Sequence, residues 1–199
     1  MKVKRILVVF VMGIMVAACA FAPTLLGNPQ TPEVAAPRAL PRFESDPAVT
    51  DDLVGQGKAL PLLDLADEEF QGEMFKPGTQ RYTVKMKPET KVDLSNGWCA
   101  STAAILADNK KHFGGSISVN GYKIPSDELH YFEWDVPRGE DPENPDGVAC
   151  FSWDIVASDW PLGAHRVIET WVFDQAVDDG SNTYAAGEYV FEYAVTVAK

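Results

Sequence analysis

Basic residues are scarce in this sequence. The chain of 199 residues holds 17 lysine and arginine residues against 29 aspartate and glutamate residues, so its formal net charge is −12. A nucleic-acid-binding protein needs a positive surface that displaces counterions from phosphate, and this composition excludes that class of partner. Global disorder is excluded as well, because 46% of the residues are apolar and 11% are aromatic, which is enough for a packed core.

Histidine is also rare, and the motifs of common enzyme classes are missing. None of the three histidines (His112, His130 and His165) lies at metal-ligand spacing from another histidine or a cysteine, so the sequence contains no zinc motif. It has no G-x-S-x-G, no Walker loop and no G-x-G-x-x-G. We therefore expect no catalytic activity and no cofactor, and we interpret His165, at a turn-to-strand junction, as structural.

One long apolar run exists, at the N-terminus. Three basic residues within positions 2–5 precede an unbroken apolar run over residues 6–18, and Val16-Ala17-Ala18-Cys19 follows it. This segment resembles the lipobox of bacterial lipoproteins, which implies that residues 1–18 are a signal peptide and that Cys19 is lipidated. Two or more acyl chains anchor a protein stably in a bilayer. The alternatives are an ordinary cleaved signal and an uncleaved membrane anchor.

All three interpretations export the rest of the chain. We expect an extracytoplasmic protein, at the cell surface or in the periplasm, held to the lipid bilayer through Cys19. Residues 1–18 contain three basic and no acidic residues. The mature chain would therefore carry 14 basic and 29 acidic residues, a net charge of −15, and would be repelled by anionic headgroups.

Proline marks the next segment. Residues 23–61 contain seven prolines and no apolar periodicity, which is typical of an extended spacer. We predict a Pro-rich tether over residues 19–60 and a folded domain over residues 61–199. Packing of part of the tether as a first edge strand is the alternative.

Period-two patterns from residue 80 onward predict an all-β domain. The predicted strands are residues 80–87, 116–119, 122–124, 129–136, 148–156, 165–173 and 188–197. Asn120-Gly121 between two of them is typical of a type I′ hairpin turn. The only predicted helix is a short one near residues 61–71, after Pro61 and within an acidic cluster.

Two of these segments carry a resemblance. Gly163-Ala164-His165-Arg166-Val167 and the alternating residues 187–197 resemble the closing strands of bacterial immunoglobulin-like domains. The resemblance implies an antiparallel immunoglobulin-like β-sandwich and implies nothing about function.

With Cys19 assigned to lipid, Cys99 and Cys150 remain. An even pair in an exported domain favours a disulfide, and two buried free thiols are the alternative. The bond would join two strands through the core or connect two loops.

Two further groups of residues are weak candidates for ligand sites. Asp174, Asp178, Asp179 and Asn182 supply oxygen ligands of the kind that calcium prefers, although solvated turn residues are the simpler interpretation. A second acidic loop over residues 140–147 is a weaker calcium candidate. Trp160, beside Pro161 in a predicted turn, is the tryptophan that we expect to be exposed and able to stack on a sugar.

These patterns favour a tethered β-sandwich that serves as a non-catalytic interaction or structural domain for an unknown protein or glycan. The first alternative is a carbohydrate-binding module that uses exposed tryptophans. The second is an exported hydrolase whose site is scattered along the sequence.

Overall fold

The computed structural model describes residues 39–67, 76–139 and 146–199. The predicted signal peptide, Cys19 and most of the acidic loop at 140–147 lie outside the described residues. Twelve strands are described: β1 (Arg42–Phe43), β2 (Leu60–Pro61), β3 (Gly78–Met86), β4 (Val92–Ala100), β5 (Phe113–Val119), β6 (Tyr122–Lys123), β7 (His130–Val136), β8 (Val148–Ser158), β9 (Gly163–Phe173), β10 (Val177–Asp178), β11 (Thr183–Tyr184) and β12 (Gly187–Val197).

The strands form two five-stranded sheets that pack face to face, with a small β10–β11 hairpin beside them. In the first sheet β8 pairs with β4 on one side and with β1 and β7 on the other. The short strand β2 pairs with the other side of β4. The second sheet has the order β3, β12, β9, β5, β6. Buried side chains of both sheets meet in one core, for example Leu94 and Ile155 from the first with Val84, Val167 and Val195 from the second. The predicted all-β sandwich is confirmed, and the immunoglobulin-like resemblance stays a prediction.

The pairing is not antiparallel throughout. β3 pairs with β12 in parallel over nine residues, and β2 pairs with β4 in parallel over two. Hairpin connections impose antiparallel pairing only on strands that follow each other closely in the chain. About a hundred residues separate β3 from β12, so their relative direction is set by the sandwich rather than by a turn.

Helical structure is more extensive than the sequence suggested. The segment near 61–71 forms a 3₁₀ helix at Leu62–Leu65, and two α-helices lie elsewhere, α1 (Pro47–Gly55) and α2 (Ala103–Asn109). Helix α1 begins after Asp46, whose carboxylate accepts from the Ala48 amide at 2.9 Å. The Thr102 hydroxyl caps α2 in the same way. Asp46 and Thr102 are both of the residue types preferred at the N-cap, and this signal does not depend on apolar periodicity.

The predicted tether is wrong in its last part. β1 pairs with the end of β8, and Phe43 packs against the main core. Leu53 of α1 forms a small cluster with Ala59 and Val156. Residues 42–60 therefore belong to the folded domain, and the edge-strand alternative describes them better. Proline is tolerated there because Pro41 precedes an edge strand and Pro47 occupies the first turn of α1.

The predicted hairpin turn is confirmed. Asn120 and Gly121 both have positive φ, 54° and 86°, as a type I′ turn requires. The Asn120 side chain donates to the Ala39 carbonyl and accepts from the Arg166 amide, so this turn also joins neighbouring parts of the domain. Among the described residues, no helix has the length and apolar character needed to cross a bilayer.

Candidate functional site

A cavity of about 800 Å³ lies at the free edge of β4 and is lined by residues of both sheets, and we call it the intersheet cavity. Its walls come from β3, β9 and β12 of the second sheet and from β4 of the first, with Trp134 of β7 and Ser152 of β8 beside β4. β2 pairs with β4 only at Val92 and Asp93, and no other described strand covers that side of β4. The cavity therefore occupies the opening between the edge of β4 in the first sheet and the edge strand β3 of the second. Leu62, Leu63 and Ala66 close one end, and Asp179 and Tyr184 line the other.

Aromatic rings make up much of the wall. β-Strand alternation turns every second residue of β9 and β12 toward the first sheet, which brings large rings into the interior. Trp98 contacts Trp171 and Tyr184, with ring centroids 5.8 and 4.6 Å apart. Trp171 and Phe191 are 4.7 Å apart and tilted by 59°. The rings that line the cavity are Tyr82, Trp98, Trp134, Trp171, Tyr184, Phe191 and Tyr193.

One carboxyl group is buried in this aromatic wall. Glu169 lies on the inner face of β9, and the register places it between Phe191 of β12 and Ile117 of β5. It is 8% exposed and lines the cavity. Burial raises the pKa of Glu169 to about 8, and the charges of Asp93 and Asp154 add to that shift, against hydrogen bonds from the Ser95 amide and the Tyr193 hydroxyl. At neutral pH the group holds a proton, because burying an isolated charge is costly.

Two more polar side chains of the wall are buried. Gln80 of β3 accepts a hydrogen bond from the Tyr82 hydroxyl at 2.8 Å. Trp98 is 6% exposed, and its Nε1 has no hydrogen-bond partner among the described residues. A buried donor without a partner costs free energy. An acceptor atom on a bound molecule would lower that cost.

The acidic side chains of the wall have no basic counterpart among the described residues. Asp67, Glu169 and Asp179 are the acidic members, and no lysine, arginine or histidine is found among the described residues that line the cavity. The arrangement can hold a molecule that is mainly apolar and carries a polar or positively charged group.

A second buried acidic group lies on the opposite face of the first sheet. Asp93 of β4 and Asp154 of β8 are each 5% exposed. Burial, followed by the charge of Asp154, raises the pKa of Asp93 to about 7, and burial raises that of Asp154 to about 6 against a hydrogen bond from Ser152. Asp51 of α1 also raises the pKa of Asp154, so α1 lies close to this pair.

Trp160 is not the exposed ring that the sequence suggested. It is 2% exposed and belongs to the main core. Its Nε1 donates to the Ala157 carbonyl at 3.3 Å, and its ring packs edge-on against His165. Asp159 before it has a φ of 52°, and this left-handed residue reverses the chain so that the ring turns inward. Trp160 therefore cannot form a surface platform for a sugar.

His165 is a structural residue, as expected. It is 5% exposed, its Nε2 donates to the Pro161 carbonyl at 2.7 Å, and its Nδ1 accepts from the Asn120 side-chain amide at 2.9 Å. Both ring nitrogens therefore have partners within the fold. The histidine connects the Asn120 turn to the segment before β9.

The two cysteines form the predicted disulfide, with a Cα–Cα distance of 4.1 Å. They lie directly opposite each other on β4 and β8. The bond thus joins neighbouring strands of one sheet, which is neither of the two arrangements considered from the sequence. Cys99 also lines the intersheet cavity.

The candidate calcium residues are used mainly by their own turn. Asp178 accepts from the Gly180 amide and the Thr183 hydroxyl, and Asp179 accepts from the amides of Ser181 and Asn182. Asp174 pairs instead with His112 at 2.8 Å. Within the described ranges, no three histidine, cysteine, aspartate or glutamate side chains converge as a metal site would require. Calcium at this loop stays a prediction that the geometry does not favour.

Sequence reasoning missed the intersheet cavity and Glu169. A signal for Glu169 was present, because it occupies an inward position in the alternation His165, Val167, Glu169, Trp171, Phe173. A glutamate in a row of core residues is unusual. No protein-family model matches this chain, and no curated protein matches it either.

Proposed function

We propose that this protein is an exported, lipid-anchored binding protein whose β-sandwich holds a small, mainly apolar ligand in the intersheet cavity, without catalysis. One observation carries the ligand-binding part. The cavity has a volume of about 800 Å³, an aromatic wall and few polar groups. Ligand pockets typically measure about 300–1,000 Å³ and have this kind of lining.

The side chains of the wall support a non-catalytic role. No histidine lines the cavity among the described residues, so no imidazole is there to activate a nucleophile. The hydroxyl of Ser152, which does line it, donates to Asp154. An exported hydrolase would need a free nucleophile or a positioned pair of carboxyl groups.

The location rests on the N-terminal sequence. The lipobox-like Val16-Ala17-Ala18-Cys19 supports lipid attachment at Cys19, and Pro-rich residues between Cys19 and β1 would separate the domain from the bilayer. The disulfide between Cys99 and Cys150 agrees with an oxidising compartment outside the cytoplasm.

Carbohydrate binding is the second candidate, and one observation favours it. Trp134 is 45% exposed and lies among the residues that line the cavity. A solvent-facing ring at the rim could stack on a sugar face. Trp98, Trp171, Tyr184 and Phe191 are tilted against each other, and the stacked pair Tyr82–Tyr193 is buried. A flat sugar platform needs exposed rings in one plane.

The ligand-binding proposal is tested with a neutral fluorescent probe, N-phenyl-1-naphthylamine, whose emission rises in apolar sites. We expect saturable binding to the lipid-free domain. Phe191→Ala should weaken it several-fold, because that ring lines the cavity, whereas Tyr122→Ala, an exposed ring outside the cavity, should leave it unchanged. Absence of saturable binding, or equal effects of both variants, would contradict the proposal. Binding of soluble polysaccharides that depends on Trp134 would favour the second candidate.

The anchoring part has its own test. Intact-mass measurement of the chain from the membrane fraction should show a protein that begins at Cys19 and carries acyl groups. Cys19→Ala should release the protein from the membrane or block its processing. An unmodified Cys19 would contradict the lipoprotein proposal and leave the cavity proposal standing.

A further inference from the structure

The acidic lining of the intersheet cavity determines which sign of charge a ligand can carry. Its acidic members are Asp67 at one end, Asp179 at the other and Glu169 between the sheets. Basic side chains are missing from the lining within the described residues. The potential inside a concave site with low-dielectric walls follows the charges that line it. An anionic ligand would be repelled, and a cation would be attracted.

The buried carboxyl group is placed to interact with a charge. Glu169 lies near the Ser95 amide of one sheet and the Tyr193 hydroxyl of the other, and both donors favour its charged form. No cationic side chain in the cavity wall compensates it among the described residues. A charged carboxylate is stable in such a place only when it is paired. A ligand cation would supply the missing partner.

The aromatic wall complements this charge. Aromatic rings attract cations toward their faces as well as burying apolar groups. The ring centroids of Trp171 and Phe191 are 4.7 Å apart, and the register places Phe191 directly beside Glu169. A charged nitrogen at Glu169 would therefore have rings around it, and the apolar part of the molecule could extend along the remaining wall.

We propose that the ligand of the intersheet cavity is a small organic cation, with its ammonium group against Glu169 and its apolar part against Trp171 and Phe191. This inference rests on the proposed ligand-binding function and specifies the chemical class of the ligand. Leu62 and Leu63 at one end of the cavity would contact the apolar part as well.

Such binding must move a proton. In the empty cavity Glu169 is mainly protonated near pH 7, because burial and the charges of Asp93 on β4 and Asp154 on β8 raise its pKa to about 8. Tyr193 on β12 keeps its own proton, since burial raises the pKa of its hydroxyl. An entering cation stabilises the carboxylate, so the carboxyl proton passes to solvent. Binding of a permanently charged ligand should therefore release close to one proton near neutral pH.

The experiment uses benzyltrimethylammonium as the cation and neopentylbenzene as its neutral isostere. Calorimetry at pH 7 in two buffers of different ionisation enthalpy gives both the affinity and the number of protons released. We expect the cation to bind at least ten-fold more tightly than the isostere, with proton release. Glu169→Gln should bind the cation with at least ten-fold lower affinity and without proton release. Its affinity for the isostere should stay the same.

Glu188→Gln is the matched control, because Glu188 is an exposed carboxyl group on the neighbouring strand β12. It should behave as the unchanged protein does. The proton release of the unchanged protein needs no variant, so the inference is testable even if Glu169→Gln does not fold.

Three results would overturn the inference: equal affinities for the two probes, cation binding without proton release, or an unchanged cation affinity in Glu169→Gln. If N-phenyl-1-naphthylamine still binds in those cases, the cavity proposal stands and only the ligand class is wrong. If that probe and both benzyl compounds fail to bind, the proposed function itself is wrong.

Discussion

Cys99 and Cys150 stand directly opposite each other on β4 and β8, and their disulfide connects a strand with a free edge to the longest strand of the first sheet. β4 is the strand that forms one side of the intersheet cavity, so the bond fixes the position of that wall.

Removal of this disulfide should destabilise the domain. The bond closes a loop over a sequence separation of 51 residues, for which chain entropy gives about 4 kcal/mol. We expect Cys99→Ala/Cys150→Ala to lower the free energy of urea unfolding by roughly 2–4 kcal/mol. The unchanged protein in excess reductant should show a similar loss. Two reactive thiols after denaturation without reductant would contradict the disulfide.

Stability should fall as pH rises from about 4 to 8. Asp93, Asp154 and Glu169 have pKa values raised to about 7, 6 and 8. In the unfolded chain these groups lose their protons near the ordinary carboxyl pKa values of about 4. At a pH between the unfolded-state and folded-state pKa values, the folded state therefore binds more protons. The free energy of unfolding then decreases with increasing pH, on the order of 2 kcal/mol per group between pH 5 and 8.

Urea unfolding at pH 5 and pH 8 measures this dependence. Asp93→Asn should make the difference between the two pH values smaller, because the amide has no proton to lose. Asp127→Asn, at an exposed turn, serves as the control and should leave the difference as it is. A protein that is more stable at pH 8 than at pH 5 would show that the carboxyl groups are not buried in this way.

Trp160 should behave as a core residue. Its ring is 2% exposed and packs with His165, so Trp160→Ala should cost about 3–5 kcal/mol of unfolding free energy. Trp134→Ala, which removes an exposed ring, should cost well under half of that. Thermal or urea unfolding of the two variants measures these losses of unfolding free energy. Equally small losses in both variants would mean that Trp160 is at the surface.

Asn120 should stabilise the domain through its side chain as well as its backbone. It adopts a φ of 54° and bonds to Ala39, His165 and Arg166. Asn120→Gly keeps the backbone freedom and removes the bonds, whereas Asn120→Ala removes both. We expect losses of about 1 kcal/mol and about 2 kcal/mol in unfolding free energy. Equal stability of Asn120→Gly and the unchanged protein would mean that the bonds contribute nothing.

The strands that could be predicted are those whose side chains alternate between core and solvent. β12 is the clearest case, because Tyr189, Tyr193, Val195 and Val197 are all buried in the second sheet. β4 was missed because Asp93, Asn96 and Gly97 interrupt its apolar pattern. Gly97 is nevertheless required, since a Cβ there would lie 2.8 Å from the Phe151 carbonyl oxygen of β8.

The site was harder to predict than the fold. Trp160 stands beside Pro161 in a turn, which suggests exposure, yet the left-handed Asp159 directs the ring into the core. Glu169 is one of many acidic residues in this chain. The alternation of β9 indicates that it faces inward, and its neighbours Phe191 and Ile117 on adjacent strands establish that it is buried.

The sequence by itself determined the class of fold, the type I′ turn and the two cysteines available for a disulfide, because each depends on local spacing or on residue type. Only the tertiary structure decided that β3 pairs in parallel with β12, that Cys99 is bonded across adjacent strands and that Glu169 lines an aromatic cavity. These features join segments far apart in the chain. Their geometry comes from the register of two packed sheets, which no local pattern encodes.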